Sequence, residues 1–273
     1  VSVVDHDRVS GSGTFAGVAA VDSAAPAPAV RITDVTKRFG HGPAAVTALD
    51  QISLDVERGE FLCIVGASGC GKSTLLNLIA GLDAPSAGTV DVQGRVALMF
   101  QEAALLPWRT AAQNVELALK LRGVPRSERR ERALELLDLV RLREFADKRP
   151  HELSGGMRQR VALARSLGQG ADVLLMDEPF GALDAITRDV LHDEIERVAS
   201  EQRLTVVFVT HNVREAARLG DRIVLLTSRP GRVAGEFGVP VERPRRIESA
   251  EVSTIAAEVT TRLREEVRRH ADD

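Results

Sequence analysis

The chain is expected to fold as an α/β protein with a mainly parallel core sheet, a small antiparallel β subdomain and a helical insert. Three observations carry this expectation. The apolar run Phe61-Leu62-Cys63-Ile64-Val65 leads through a glycine-rich segment into Leu75-Leu76-Asn77-Leu78-Ile79-Ala80, which reads as a helix stopping at Gly81. Beyond Val173, short apolar runs alternate with helix-length segments, as crossover connections in a parallel sheet require. Between Glu102 and His151 the strand-like pattern gives way to helical spacing.

The glycine-rich segment, Gly66-Ala67-Ser68-Gly69-Cys70-Gly71-Lys72-Ser73-Thr74, fits G-x-x-x-x-G-K-[ST] through Gly66, Gly71, Lys72 and Ser73. Its glycines let the backbone wrap a phosphate and turn N–H groups inward, and the following helix N-terminus adds partial positive charge. Lys72 supplies a full charge for the β and γ phosphates, and the Ser73 hydroxyl a ligand for Mg2+. A glycine-rich turn that binds nothing would need neither side chain nor the flanking strand and helix. The chain is therefore predicted to be a P-loop NTPase that binds a nucleoside triphosphate along Gly66–Thr74.

The other elements follow in order. Residues 1–29, rich in Ala, Ser, Gly and Pro, read as a disordered N-terminal tail; Asp5 and Asp7 ahead of the mildly apolar Thr14–Val21 argue against an export signal. Val30–Val35 and Ile52–Val56 alternate apolar and polar residues, and Arg58-Gly59-Glu60 offers a turn, giving the small antiparallel sheet. Thr89–Val92 and Val96–Phe100 are further strands parted by Gly94. In the insert, Ser127 is expected to cap a helix carrying Ala133, Leu134, Leu136, Leu137 and Val140. The arginines at its start (Arg126, Arg129, Arg130, Arg132) read as a solvated face interleaved with Glu128 and Glu131. Val173–Met176, Thr205–Val209 and Ile223–Leu226 are predicted strands. Asp184–Gln202 and Asn212–Leu219 are predicted helices, the first with Ile186, Val190, Ile195 and Val198 near one face. Val252, Ile255, Val259, Leu263 and Val267 mark a final amphipathic helix that docks on its own domain. Residues 30–240 thus form the ATPase domain, with a helical subdomain at about 102–168, and 241–273 a C-terminal tail carrying the amphipathic helix.

Composition narrows the function. With 273 residues, 44% of them hydrophobic, a large core is available, and at 3% aromatics with no Tyr it must be aliphatic. The net charge of −3 argues against a general nucleic-acid binder. The two cysteines, Cys63 and Cys70, fall in a core strand and in the phosphate loop, so a disulfide framework is not expected and a reducing compartment is. No apolar run approaches the ~18–20 residues that span a bilayer, so a membrane role must come through a partner chain.

Two further stretches carry chemistry. Val173-Leu174-Leu175-Met176-Asp177-Glu178-Pro179 is an apolar strand ending in two acids. Asp177 is assigned to the metal, directly or through water, and Glu178 to orienting and deprotonating an attacking water. Leu153-Ser154-Gly155-Gly156 opens a helix continuing through Val161, Ala164 and Leu167. Ser154 caps it, and Gly155 and Gly156 leave the backbone N–H groups accessible, which makes a second anion site. One ATP needs one phosphate loop, so the second site suggests action on another copy's nucleotide.

Taken together, the phosphate loop, Leu153-Ser154-Gly155-Gly156, Asp177-Glu178-Pro179 and Thr210-His211, in this order, resemble the ATP-binding subunit of an ABC transporter, and the match runs from Val30 to Leu226. The resemblance implies the ABC ATPase fold, hydrolysis of ATP with Mg2+, a head-to-tail pair with a second copy, and attachment to transmembrane permease subunits at the cytoplasmic face of the membrane. By the same resemblance Phe39 stacks on adenine, and Gln101 links Mg2+ and the attacking water to the helical insert. Gly181-Ala182-Leu183-Asp184 communicates across the dimer, and His211 contacts the γ-phosphate. Phe39 stands where Tyr is frequent, Gly181 where Ser is usual and Asn212 where Asp is usual; none removes a group the chemistry requires. Leu105-Leu106-Pro107-Trp108-Arg109-Thr110 and Ser228-Arg229-Pro230-Gly231-Arg232 resemble importers of nitrate, aliphatic sulfonates and taurine, which work with an extracytoplasmic solute-binding protein. For Trp108 two readings stand, a core anchor in the insert and a contact for the permease. A soluble ABC-type ATPase acting on DNA or ribosomes, or an exporter subunit, are the alternatives.

Overall fold

The structure is a computed structural model that describes residues 27–181 and 183–271. Most of the expected N-terminal tail, residues 1–26, and Ala182 of the 181–184 loop lie outside the described residues.

Two sheets organise the fold. Strands β1 (Val30–Phe39), β2 (Val46–Val56) and β4 (Ala87–Val92) form a three-stranded antiparallel sheet in the order β2-β1-β4. Strands β3 (Phe61–Gly66), β5 (Val96–Met99), β6 (Val173–Asp177), β7 (Thr205–Thr210), β8 (Arg222–Leu226) and β9 (Val233–Gly238) form the second sheet, ordered β5-β6-β7-β3-β8-β9. Its first five strands run parallel, and β9 returns antiparallel along β8.

The central strands are apolar throughout because both their faces are covered, and the two-residue period sorts them between two cores. Phe61, Cys63 and Val65 of β3, Leu174 and Met176 of β6, and Val206 and Phe208 of β7 face the larger core. Leu62 and Ile64, Val173 and Leu175, and Val207 and Val209 face the other, which they share with β1, β2 and helix α1 (Lys72–Ile79). The larger core is closed by α2 (Ala111–Leu121), α3 (Arg126–Leu139), α4 (Gly155–Gly168), α5 (Ala185–Gln202), α6 (Val213–Leu219) and α7 (Ala250–Ala271). The C-terminal α7 packs on α6 through Val252, Ala256 and Val259, while Val267 is exposed.

The two strands parted by Gly94 both form, in different sheets: β4 closes the antiparallel sheet and β5 is the edge of the parallel one. Several other expectations need correction. Helix α3 starts at Arg126 behind Pro125 and has no side-chain cap, so Ser127 lies inside its first turn. The capping box belongs instead to α2, where Thr110 Oγ1 accepts from Gln113 N at 3.2 Å and Gln113 Oε1 accepts from Thr110 N at 3.0 Å. On α5, Ile195 and Val198 are buried, but Ile186 and Val190 face solvent and the buried stripe takes in His192 and Glu194. Trp108 is 68% exposed and so does not anchor the core. Strand β9, which the sequence pattern did not announce, is an edge strand with its residues half-buried or exposed.

Candidate nucleotide site

The phosphate loop begins where β3 ends and closes at the first turn of α1. Gly71 precedes α1 in a left-handed conformation, φ +99°, and a Cβ there would lie 2.6 Å from Leu49 Cδ2. Only glycine meets both demands. No side chain caps α1, so its first N–H groups are left to a ligand. Lys72 is buried, and its Nζ donates to the carbonyls of Gly66 at 2.9 Å and Ala67 at 3.0 Å, which holds the ammonium inside the loop.

An open pocket of about 390 Å³ lies on this loop. Ser68, Gly69, Gly71, Lys72, Ser73 and Thr74 form its floor; Phe39, Val46 and Ala48 of the antiparallel sheet and its entry form one wall. Glu178 and Arg229 complete it. Phe39 is 46% exposed, with Lys37 Nζ 5.0 Å from its ring centroid. Lys37 is itself anchored on Asp83 at 2.6 Å.

Cys70 shares the loop but not the pocket. Its side chain is buried in the core, and a Cβ on Gly66 would sit 2.7 Å from its sulfur. Burial pushes the Cys70 thiol above the ordinary cysteine value, against the opposing pull of the Lys72 charge. Cys70 therefore offers the pocket its backbone and not its thiol. Cys63 is likewise a free, buried thiol.

The two acids sit at the end of β6. Asp177 is paired in register with Val209 of β7. Glu178 adopts φ +44°, uncommon for a residue with a side chain, and its N–H donates to Val209 O at 3.0 Å. That turn brings Glu178 Oε2 to 2.8 Å from Nδ1 of His211, which follows β7. His211 thus meets the acid through Nδ1, its Nε2 has no protein partner among the described residues, and it is not itself among the residues that line the phosphate-loop pocket.

Beneath His211 lies a network that sequence reasoning missed. His192 Nε2 is 2.6 Å from Glu215 Oε1, and Thr210 Oγ1 donates to Glu215 Oε2. All three side chains are buried, and Thr210 Oγ1 also accepts from Asn212 N at 3.0 Å. Asn212 caps α6, its Oδ1 accepting from Arg214 N at 3.1 Å and Glu215 N at 3.4 Å, the role an Asp would fill.

Gln101 follows β5, and its carbonyl accepts from Gln159 Nε2 of α4 at 2.6 Å. A Cβ on Gly181 would come 3.2 Å from Gln101 Nε2, so the glycine there gives the glutamine room. At the start of α4, Ser154 Oγ accepts from Met157 N at 3.2 Å. Gly156 has a structural role besides exposing N–H groups: a Cβ there would lie 2.4 Å from Thr187 Cγ2 of α5. Ser154, Gly155 and Gly156 do not line the pocket on the phosphate loop.

The donor set Ser73 hydroxyl, Gln101 amide and Asp177 carboxylate consists of hard oxygen ligands. It fits Mg2+, which keeps several waters and substrate phosphates and needs few protein ligands. No cluster of three or more His, Cys, Asp or Glu suited to a metal occurs among the described residues.

Several known proteins are similar to this chain. A family model described as ABC transporter matches residues 49–181. The chain is 48% identical over 247 residues to the aliphatic sulfonates import ATP-binding protein of Burkholderia ambifaria, covering 88% of this chain and 74% of that one. It is 46% identical over 218 residues to the nitrate import ATP-binding protein NrtD of a Synechocystis species, covering 77% and 82%. A dimeric ATP-binding cassette in a post-hydrolysis state, bound to ADP and Pi, superposes with a TM-score of 0.68 at 36% identity, over 78% of this chain and all of that one.

Proposed function

The chain belongs to the family of ATP-binding proteins of ABC transporters, and from that premise we propose that it is the ATP-hydrolysing subunit of an importer for a small oxyanion solute, an aliphatic sulfonate, taurine or nitrate. The similarity to sulfonate and nitrate import subunits supports the solute class. The solute itself does not touch this subunit. Attachment runs through permease subunits at the cytoplasmic face, with an extracytoplasmic solute-binding protein beyond them, as the family resemblance implies. No helix among the described residues is long and apolar enough to cross a membrane.

The observation that carries the mechanism is the pairing of Glu178 with His211 at the edge of the phosphate-loop pocket. The loop N–H groups and Lys72 hold the phosphates, and Phe39 stacks on adenine. Ser73, Gln101 and Asp177 would hold Mg2+, which neutralises phosphate charge when bound. Glu178 takes the proton of the attacking water, and His211 fixes the carboxylate that does so.

Ser154, Gly155 and Gly156 do not line this pocket, and two copies paired head to tail make use of that second anion site. Each nucleotide then lies between Lys72 of one protomer and the partner subunit's Ser154. The γ-phosphate binds the closed pair better than the open one, which is how a ligand shifts such an equilibrium. Moving it from 1:99 to 99:1 takes about 5.5 kcal/mol of differential binding. Two nucleotides, each gaining charge-assisted hydrogen bonds of roughly 1.5–3 kcal/mol, supply that amount. Hydrolysis removes the bridging phosphate and reopens the pair.

Glu178→Gln is the direct test. It is expected to bind ATP, to accumulate dimer on size exclusion, and to lose turnover by ~10²–10⁴-fold. Turnover near the wild-type rate would remove Glu178 from its role. Solute class is tested separately, by ATP-dependent uptake of radiolabelled taurine or nitrate into vesicles holding the permease and this subunit.

A further inference from the structure

The turn joining β8 to β9 aims an unneutralised cation at the phosphate loop. Arg229 is exposed and lines the same pocket as Lys72, Ser68 and Gly69. No described carboxylate lies within 4.0 Å of it. The arginines around it differ. Arg222 is paired with Glu60 at 2.8 Å and Glu236 at 2.6 Å, and Arg232 Nε donates to Asp50 Oδ2 at 2.9 Å. Arg229 is left free in a region where the other guanidinium groups are satisfied.

Its position is fixed by its turn. Thr227 Oγ1 donates to Pro230 O at 2.8 Å and accepts from Arg232 N at 2.9 Å. Gly231 is stitched to the first sheet, its N–H donating to Ala48 O at 2.8 Å and its carbonyl accepting from Asp50 N at 2.9 Å. A Cβ on Gly231 would lie 2.2 Å from Cys70 O, so the turn rests directly on the phosphate loop. Arg229 Nη2 consequently comes within 3.6 Å of where a Cβ on Gly69 would stand. The turn backbone, anchored on two sides, presents the guanidinium to the pocket floor.

We propose that Arg229 is a second phosphate-binding cation of the nucleotide pocket, adding a guanidinium contact to the polyphosphate of ATP and ADP. The proposal rests on the nucleotide-binding reading above and goes beyond it in assigning this residue. A planar guanidinium suits phosphate oxygens because it offers two parallel N–H donors. Lys72 is a buried point charge bound to loop carbonyls; Arg229 is an exposed fork that closes on the ligand from the turn.

The test is calorimetric titration of the full-length protein with Mg–ADP, and of the Glu178→Gln background with Mg–ATP, at low salt. Arg229→Ala is expected to raise both dissociation constants by about five- to twentyfold, the range of one partly exposed charge-assisted contact. Arg229→Lys should lose less than Arg229→Ala, and the deficit should shrink at 0.5 M salt. A change below threefold in Arg229→Ala, with an unfolding midpoint like the wild type's, overturns the proposal. So does intact nucleotide affinity together with loss of the ATP-dependent dimer, which would place Arg229 against the second copy. If the wild type binds no ADP, or Lys72→Ala binds as tightly as wild type, the pocket reading itself falls, and this proposal with it.

Discussion

Two helices in this protein begin with glycine-rich sequence, and they begin differently. Helix α1 starts behind Gly71, left-handed and without a side-chain cap, with a buried lysine as its first residue. Helix α4 starts behind Ser154, whose hydroxyl already accepts from Met157 N, and the nearest arginine, Arg158, donates to Leu153 O at 2.6 Å. The first end combines uncapped donors and a full charge, and Glu178 of the acid–histidine pair lines the same pocket. The second is a helix end with one small cap and with its first arginine turned to a backbone carbonyl. An anion held at α4 must therefore bring most of its binding from elsewhere, which is what a nucleotide already seated on another protomer's loop would do.

The largest expected effect separates the two ends by charge. Lys72→Ala removes the cation of α1 and should cut ATP turnover by ~100-fold or more, with nucleotide binding weakened as well. The protein should still fold, because the lysine's partners are loop carbonyls that water can reach once the side chain is gone. Steady-state phosphate release and calorimetric binding measure both. Full activity in this variant would make α1 no more of a phosphate site than α4.

A smaller effect separates the two ends by the reason each needs glycine. Gly71 carries a positive φ, so a side chain there is strained whatever the space. Gly156 lies within a helix, and its obstacle is one methyl group, Thr187 Cγ2 at 2.4 Å. Gly156→Ala should cost about 1–3 kcal/mol by overpacking, seen as a midpoint a few degrees lower. Adding Thr187→Ser, which removes the methyl and keeps the hydroxyl bonded to Asp184 at 2.7 Å, should restore most of that loss. No second substitution should rescue Gly71→Ala in the same way. Equal failure of rescue at both sites would show that Gly156, too, is chosen for its backbone.

The contrast also explains what sequence could disclose. The phosphate loop, its strand and its helix are contiguous, so residues 61–81 spelled out conformation and chemistry together. Glu178 and His211 are 33 positions apart, and their 2.8 Å contact depends on β6 and β7 being neighbours in the sheet. Nothing local announces it. Helix α2 was passed over although Thr110 and Gln113 form a capping box, because its first turn offers only alanines as apolar markers. Ile186 and Val190 misled because an apolar stripe was assumed to define the buried face, whereas α5 buries His192 and Glu194 against Glu215 of α6, Arg141 just beyond α3 and Arg197 of its own next turn. Arg229 was visible as part of a turn motif; that it lines the pocket follows only from Gly231 resting on Cys70 O.

The smallest effect concerns the thiol, and it tests which side of the loop faces the ligand. A cysteine between two glycines of a phosphate loop invites the expectation that alkylation blocks the site and that ATP protects it. The side chain instead points into the core with 1% of its surface exposed, and burial pushes its pKa up from 9.0. Only the thiolate reacts at a useful rate, so a raised value makes it scarce at neutral pH. The sign for stability follows. The buried thiol is protonated, so its contribution is fully present below the unfolded-state value and is lost as pH climbs through the folded one. Iodoacetamide at pH 7.5 should therefore label Cys70 no faster in the free protein than in the ATP-bound one, and far more slowly than in denaturant; mass spectrometry of the tryptic peptide reads the rate. Rapid labelling that ATP suppresses would mean the loop turns its sulfur toward the phosphates. The core packing that sets α1 apart from α4 would then be wrong at its centre.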